Sequence, residues 1–238
     1  MNPMLTIASR ELRAYFLSPS GYIIIGLFLL ICGGVFFFAS FASGEIASLR
    51  PVFGLGTWLL AFIAPAVTMR LVSEELRLGT MEMLMTCPVR EHEVILGKFL
   101  GAMGLLVLML IPTGVYVLAL ELYGRPDYGE LMCGYLGLLL AGAAYLASGI
   151  LASTLTTSQP VAFLLALFFW LTLGIATKIL PAHVGDNWAG IIFAIDPDVR
   201  LRDFTIGLID TSNVVYFLSV AVVFLIGAVV SLQSRRWR

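Results

Sequence analysis

Six long apolar runs, separated by short polar or charged stretches, set the pattern along this chain. They cover Gly21–Ser43, Phe53–Val72, Val94–Leu120, Leu131–Thr154, Pro160–Leu180 and Val214–Leu232. Each holds roughly 20 residues, the length at which a helix rising about 1.5 Å per residue crosses a hydrocarbon core of about 30 Å. The runs are continuous rather than alternating, which excludes the strands of a membrane barrel. The pattern predicts an all-α membrane protein with six spanning helices.

Ahead of the first run, residues 3–16 read as a short amphipathic helix. Met4, Ile7, Ala8 and Leu12 share one face, with Arg10, Glu11 and Arg13 mostly on the other. Such a helix lies in the headgroup plane as an elbow, or else is an ordinary solvated terminus. The first run follows it at full spanning length, so it reads as a span and not as a cleavable signal.

Within the runs, Pro65 and Pro112 each remove a backbone donor and predict kinks, candidate hinges of a moving bundle. Gly97 and Gly101, followed by Gly104, and the set Gly137, Ala141, Gly142, Ala144 and Ser148 predict close helix–helix approach. The segment Pro181–Asn213 is apolar in patches but carries Asp186, Asp196, Asp198, Arg200, Arg202, Asp203 and Asp210. Spanning would bury several charges at about 2.5–3.5 kcal/mol each. It therefore reads as interfacial or re-entrant helices between the fifth and sixth spans. No linker or internal repeat divides the chain, so residues 1–238 form one membrane domain.

Composition agrees: the chain is 60% hydrophobic with a mean hydropathy of +0.98, more apolar surface than a soluble fold hides. Nine of the fourteen Lys and Arg fall on the side of the N-terminus and five on the other, which places both termini in the cytoplasm. Cys32, Cys87 and Cys133 are scattered and suggest neither a disulfide framework nor a metal cluster.

Several chemistries are missing. The span centres lack the ionisable residues of proton relays, and Arg70, Lys98 and Lys178 sit near span ends, where they can snorkel. There is no GxxxxGK[ST] loop, so ATP is not bound here through a P-loop. The two histidines, His92 and His183, lie outside the spans and form no metal motif. The pair Glu74–Glu75 lacks the intramembrane His of a membrane protease. No enzyme class is supported, and no cofactor is expected in this chain.

The segment Ser73–Lys98 stands out: nine of its 26 residues are Glu, Arg, Lys or His, in a chain only 12% charged. Gly79 and Pro88 bracket about two helical turns, Thr80–Cys87, with Thr80 as N-cap and Glu82 in the first turn. Pro88 ends the turn. Met81, Leu84 and Met85 share a side, flanked by Met83. Such a face fits a groove in another protein, or rests on the membrane interface.

The run Pro65-Ala66-Val67-Thr68-Met69-Arg70, then Glu74-Glu75, Arg77, Gly79-Thr80, Glu82, Leu84, Pro88-Val89, Val94 and Leu96-Gly97-Lys98 resembles the signature region of type-2 ABC exporter permeases. The layout of elbow, six spans, charged link and long outer link is similar over the whole chain. Phe204–Asp210 followed by Val214–Leu218 resembles the gliding-motility subgroup more narrowly, although Ile206 and Asn213 depart from its pattern. The resemblance implies a homodimer or related heterodimer of permeases in a bacterial inner membrane. Two cytoplasmic ATPase subunits would bind ATP and Mg and dock on residues 80–87 as a coupling helix. A partner with a periplasmic domain and membrane lipids are further expected contacts.

The implied coupling residues are Glu74, Glu75, Arg77, Gly79, Thr80, Glu82, Met83, Leu84 and Pro88. Gly79 and Pro88 shape the segment, the glutamates and Arg77 make polar contacts, and Met83 and Leu84 fill a groove. Phe204, Gly207, Asp210 and Tyr216 are candidates for an outer gate. Two other classes compete: a non-transporting anchor or scaffold using the same helix, and a secondary transporter or channel.

Overall fold

The structure is a computed structural model and describes residues 3–40, 48–81, 90–123, 127–182, 190, 192 and 194–235. Its elements in chain order are α1 Pro3–Leu17, α2 Pro19–Ser40, α3 Arg50–Thr68, α4 Ser73–Leu78 and α5 Glu91–Leu110. A 3-10 turn, Ile111–Thr113, leads into α6 Gly114–Tyr123. Then follow α7 Tyr128–Leu155, α8 Gln159–Ile179, a 3-10 turn Leu180–Ala182, α9 Pro197–Thr205 and α10 Thr211–Arg235. No strand occurs among the described residues. Among the described residues six helices are long and apolar enough to cross a membrane, so this is an all-α, multi-pass membrane protein.

The 28-residue helix α7 is the hub, and α3, α5, α8, α9 and α10 all pack on it. Of its most apolar window, 78% is buried, against 17% for the spans built on α2 and α10 and 28% for α8. Those three helices therefore form the apolar periphery. Small residues make the hub possible: a Cβ at Gly149 would overlap the Thr68 hydroxyl at the end of α3.

The predicted runs correspond to α2, α3, α5 with α6, α7, α8 and α10. The two span prolines behave differently. At Pro112 the helix tightens into the 3-10 turn that separates α5 from α6. At Pro65 the helix continues, and Met69 N–H donates to Pro65 O at 2.9 Å. The interruption comes later, at residues 69–72, between α3 and α4.

The small-residue stripe on α5 has an unexpected partner. Gly97, Gly101 and Gly104 face α1 rather than another span: a Cβ at Gly97 would lie 2.9 Å from Ile7, and one at Gly101 2.8 Å from Glu11. The N-terminal helix is thus seated in a groove of α5. Glu82–Val89, most of the expected 80–87 helix with Pro88, lies outside the described residues. So do residues 183–189, 191 and 193 of the segment 181–213, and Arg236-Trp237-Arg238.

Candidate functional site

The charged side chains converge at the end of the bundle that carries α1 and α4. Residues 69–72 break the backbone ladder between α3 and α4, and freed polar groups buried there need partners. Ser153 in the last turn of α7 supplies them on one side. Its hydroxyl donates to Met69 O at 3.0 Å and accepts from the N–H groups of Val72 and Ser73 at 3.1 and 2.9 Å. The Ser73 hydroxyl also donates to Met69 O.

Lys98 of α5 supplies the other side. Its ammonium donates to Leu71 O at 2.6 Å and to Glu11 Oε1 at 3.1 Å, and it pairs with Glu75 Oε1 at 2.8 Å. The three partners match the three protons of an ammonium. Lys98 is fully buried, so it does not snorkel as its place near a span end suggests. Arg10 bridges the same two carboxylates, at 2.8 Å from Glu11 and 3.0 Å from Glu75. Two cations and two anions balance, which is what permits a charge at this depth.

The field is felt by α1. Burial alone would raise the Glu11 carboxyl, but the Lys98 charge and hydrogen bonds from Arg10 and Lys98 outweigh it and hold it below the usual range. The Arg10 guanidinium is raised by the two glutamates in spite of partial burial. Tyr15, next along the same face, is pushed up by burial. Its hydroxyl donates to Val67 O at 2.9 Å, and Arg70 stacks 4.8 Å over its ring. A cleft of about 290 Å³ opens beside it, lined by Glu11, Tyr15, Arg70, Glu74, Glu75 and Leu78.

Beyond this cluster, α4 ends at Gly79, whose φ of 71° is left-handed, with its N–H turned back to Leu76 O. The Thr80 hydroxyl donates to Glu75 O at 3.4 Å. Arg77, Gly79 and Thr80 are exposed, Glu74 is half-buried, and Glu75 faces inward. Leu78 is an exposed apolar residue on this edge. Met81 is buried, and Glu82, Met83, Leu84 and Pro88 lie outside the described residues. After them, Glu93 accepts from Arg90 N–H at 2.9 Å and starts α5.

A sequence profile described as ABC-2 family transporter protein matches residues 5–237. The chain belongs to the ABC-2 transporter family. No curated protein matches it. As an ABC permease it is a transmembrane transport component, and the match takes in α1, α4 and the hub as well as the spans.

At the other end of the permease, α9 is clasped to its neighbours. Asp196 caps its start by accepting from Asp198 N–H, and Lys178 of α8 pairs with Asp198 at 2.9 Å. Arg200 donates to Ser212 Oγ and Asn213 Oδ1 at 2.8 and 2.9 Å and stacks on Tyr216. Phe204 is fully buried, and a Cβ at Gly137 of α7 would lie 2.8 Å from it. Gly207, at φ 86°, turns the chain over Glu130, and Asp210 caps α10 by accepting from Ser212 N–H at 2.8 Å. The Tyr216 hydroxyl donates to Ile195 O at 2.6 Å. The four predicted gate residues thus lie around one clasp. Lys178 and Arg200, which hold it, were visible in the sequence only as isolated charges.

Several polar side chains of the spans are likewise held inside the bundle. Thr57 bonds Phe53 O, Thr113 meets the Tyr135 hydroxyl, Tyr116 bonds Leu29 O, and Tyr145 is buried against Trp170.

Proposed function

We propose that this permease is the transmembrane half of an ATP-driven exporter, and that a separate cytoplasmic ATPase docks at the end of α4. In this reading both termini are cytoplasmic, and two permeases assemble with two ATPases in a bacterial inner membrane. ATP and Mg are bound by the ATPase, and ATP is hydrolysed there. The edge Arg77-Leu78-Gly79-Thr80 and the Met/Leu segment after it form the docking surface. The carrying observation is that exposed Arg77 and Leu78 project from a short helix tied through Glu75 to α1 and α5. A solvated loop needs no such anchorage.

The lack of ionisable residues at the span centres favours a cargo moved without charge selection, such as a lipid, peptide or glycan, or force passed to an envelope partner. The clasp of α9, with Phe204, Gly207, Asp210 and Tyr216, closes the outer end. Co-expression of the permease with its ATPase tests the reading. The intact pair should co-purify, with ATP hydrolysis altered by the permease. Arg77→Glu should lower ATPase recovery at least tenfold while leaving membrane insertion intact. Undiminished assembly of that variant would place docking elsewhere, and a permease that never binds an ATPase would favour the anchor or secondary-transporter reading.

A further inference from the structure

We infer that Lys98 is the pin of a joint between the second span and the coupling segment, a positioning residue that transmits displacement of α4 to α1 and α5. The inference rests on the coupling role proposed above for α4 and the residues after it. The backbone itself is a poor transmitter here, because the helical ladder is interrupted over residues 69–72. What crosses the interruption is side-chain bonding.

Lys98 spends its three protons on three different pieces: Leu71 O in the break, Glu11 on α1 and Glu75 on α4. Arg10 doubles the link by bridging Glu11 and Glu75. On the far side, Ser153 holds the break to the hub through neutral bonds. The joint therefore has a fixed side, α7, and a charged side that moves with α4. Van der Waals packing yields to sliding, whereas buried opposite charges resist separation, since parting them leaves each uncompensated. A push on α4 thus carries α5, and α1 seated in its glycine groove goes with it.

The test separates transmission from simple charge balance. Lys98→Met alone leaves Glu75 without its buried cation and should destabilise the protein. The double variant Glu75→Gln with Lys98→Met removes one charge of each sign while Glu11 keeps Arg10, and it should recover most of the thermal stability that Lys98→Met loses, short only of the bond to the Leu71 carbonyl. The change in ATP hydrolysis that the permease imposes on its ATPase should nevertheless fall at least tenfold. Without any ATPase present, amide exchange over residues 74–78 should quicken at least tenfold, while α7 stays protected.

Wild-type coupling or wild-type exchange in the stable double variant would overturn the inference, since Lys98 would then only balance charge. Should the double variant not fold, Glu75→Gln alone takes its place with the same readouts, because Lys98 keeps Glu11 and Leu71. Failure of the wild-type permease to bind an ATPase would instead defeat the docking reading, and the exchange measurement would then decide the joint by itself.

Discussion

Burying an ammonium at a membrane boundary costs several kcal/mol unless its partners are close and complete. At Lys98 they are both, and the price of that arrangement is sensitivity to acid. Glu11 is held below its unfolded value of about 4.3, so its contribution to stability is complete above that pH. It is lost as pH falls through the lower folded value, when protonation frees Lys98 and Arg10 from half of their counter-charge. Thermal unfolding followed from pH 7 down to pH 3 should therefore show an acid limb. That limb should be flatter in Glu11→Gln, which lacks the titrating group. The rest of the residue-scale picture is less legible in sequence. A lysine near a span end can snorkel or pair inward, and the two are identical in composition. Only the placement of Glu11, Leu71 and Glu75 around one atom decides between them.

At the scale of elements, the decisive contact is α1 in the groove of α5. The spacing of Gly97, Gly101 and Gly104 announces a groove but not the ridge that fills it, and α1 is a short amphipathic helix rather than a span. Its apolar residues Ile7 and Leu12 meet the glycines, while Glu11 on the same seam delivers the charge to Lys98. Gly101→Leu should push α1 out of this groove, since a Cβ there already meets Glu11 at 2.8 Å and Ala8 O at 3.1 Å. Overpacking of this kind costs about 1–3 kcal/mol. Limited proteolysis should then cut within residues 3–17 of the variant under conditions that spare wild type, with the spans still inserted. The break over 69–72 was hidden for a related reason. It has neither Gly nor Pro, and the nearby Pro65 drew the expected kink, yet α3 runs through Pro65 and stops where Ser153 and Lys98 offer better partners.

For the whole molecule, the six spans were legible because a bilayer demands long uninterrupted apolar runs. Their packing around α7 was only partly so: its small residues marked a crowded helix without naming its neighbours. The two ends of the bundle carry different kinds of polar structure. One is the charged joint of α1, α4 and α5, beside the exposed edge Arg77–Thr80. The other is the clasp of α9, held by Lys178 and Arg200 and closed by Phe204 on the hub. The proposed exporter has ATP-driven force entering at the first and release controlled at the second. With Cys32, Cys87 and Cys133 replaced by alanine, one variant carrying its single cysteine in place of exposed Leu78, and a second carrying it in place of exposed Ile206 as the opposite-end control, test this polarity most directly. With the ATPase partner present, a short bifunctional cross-linker should join the ATPase to position 78 and not to position 206. Cross-linking at 206, or none at 78 in a complex that co-purifies, would contradict the account.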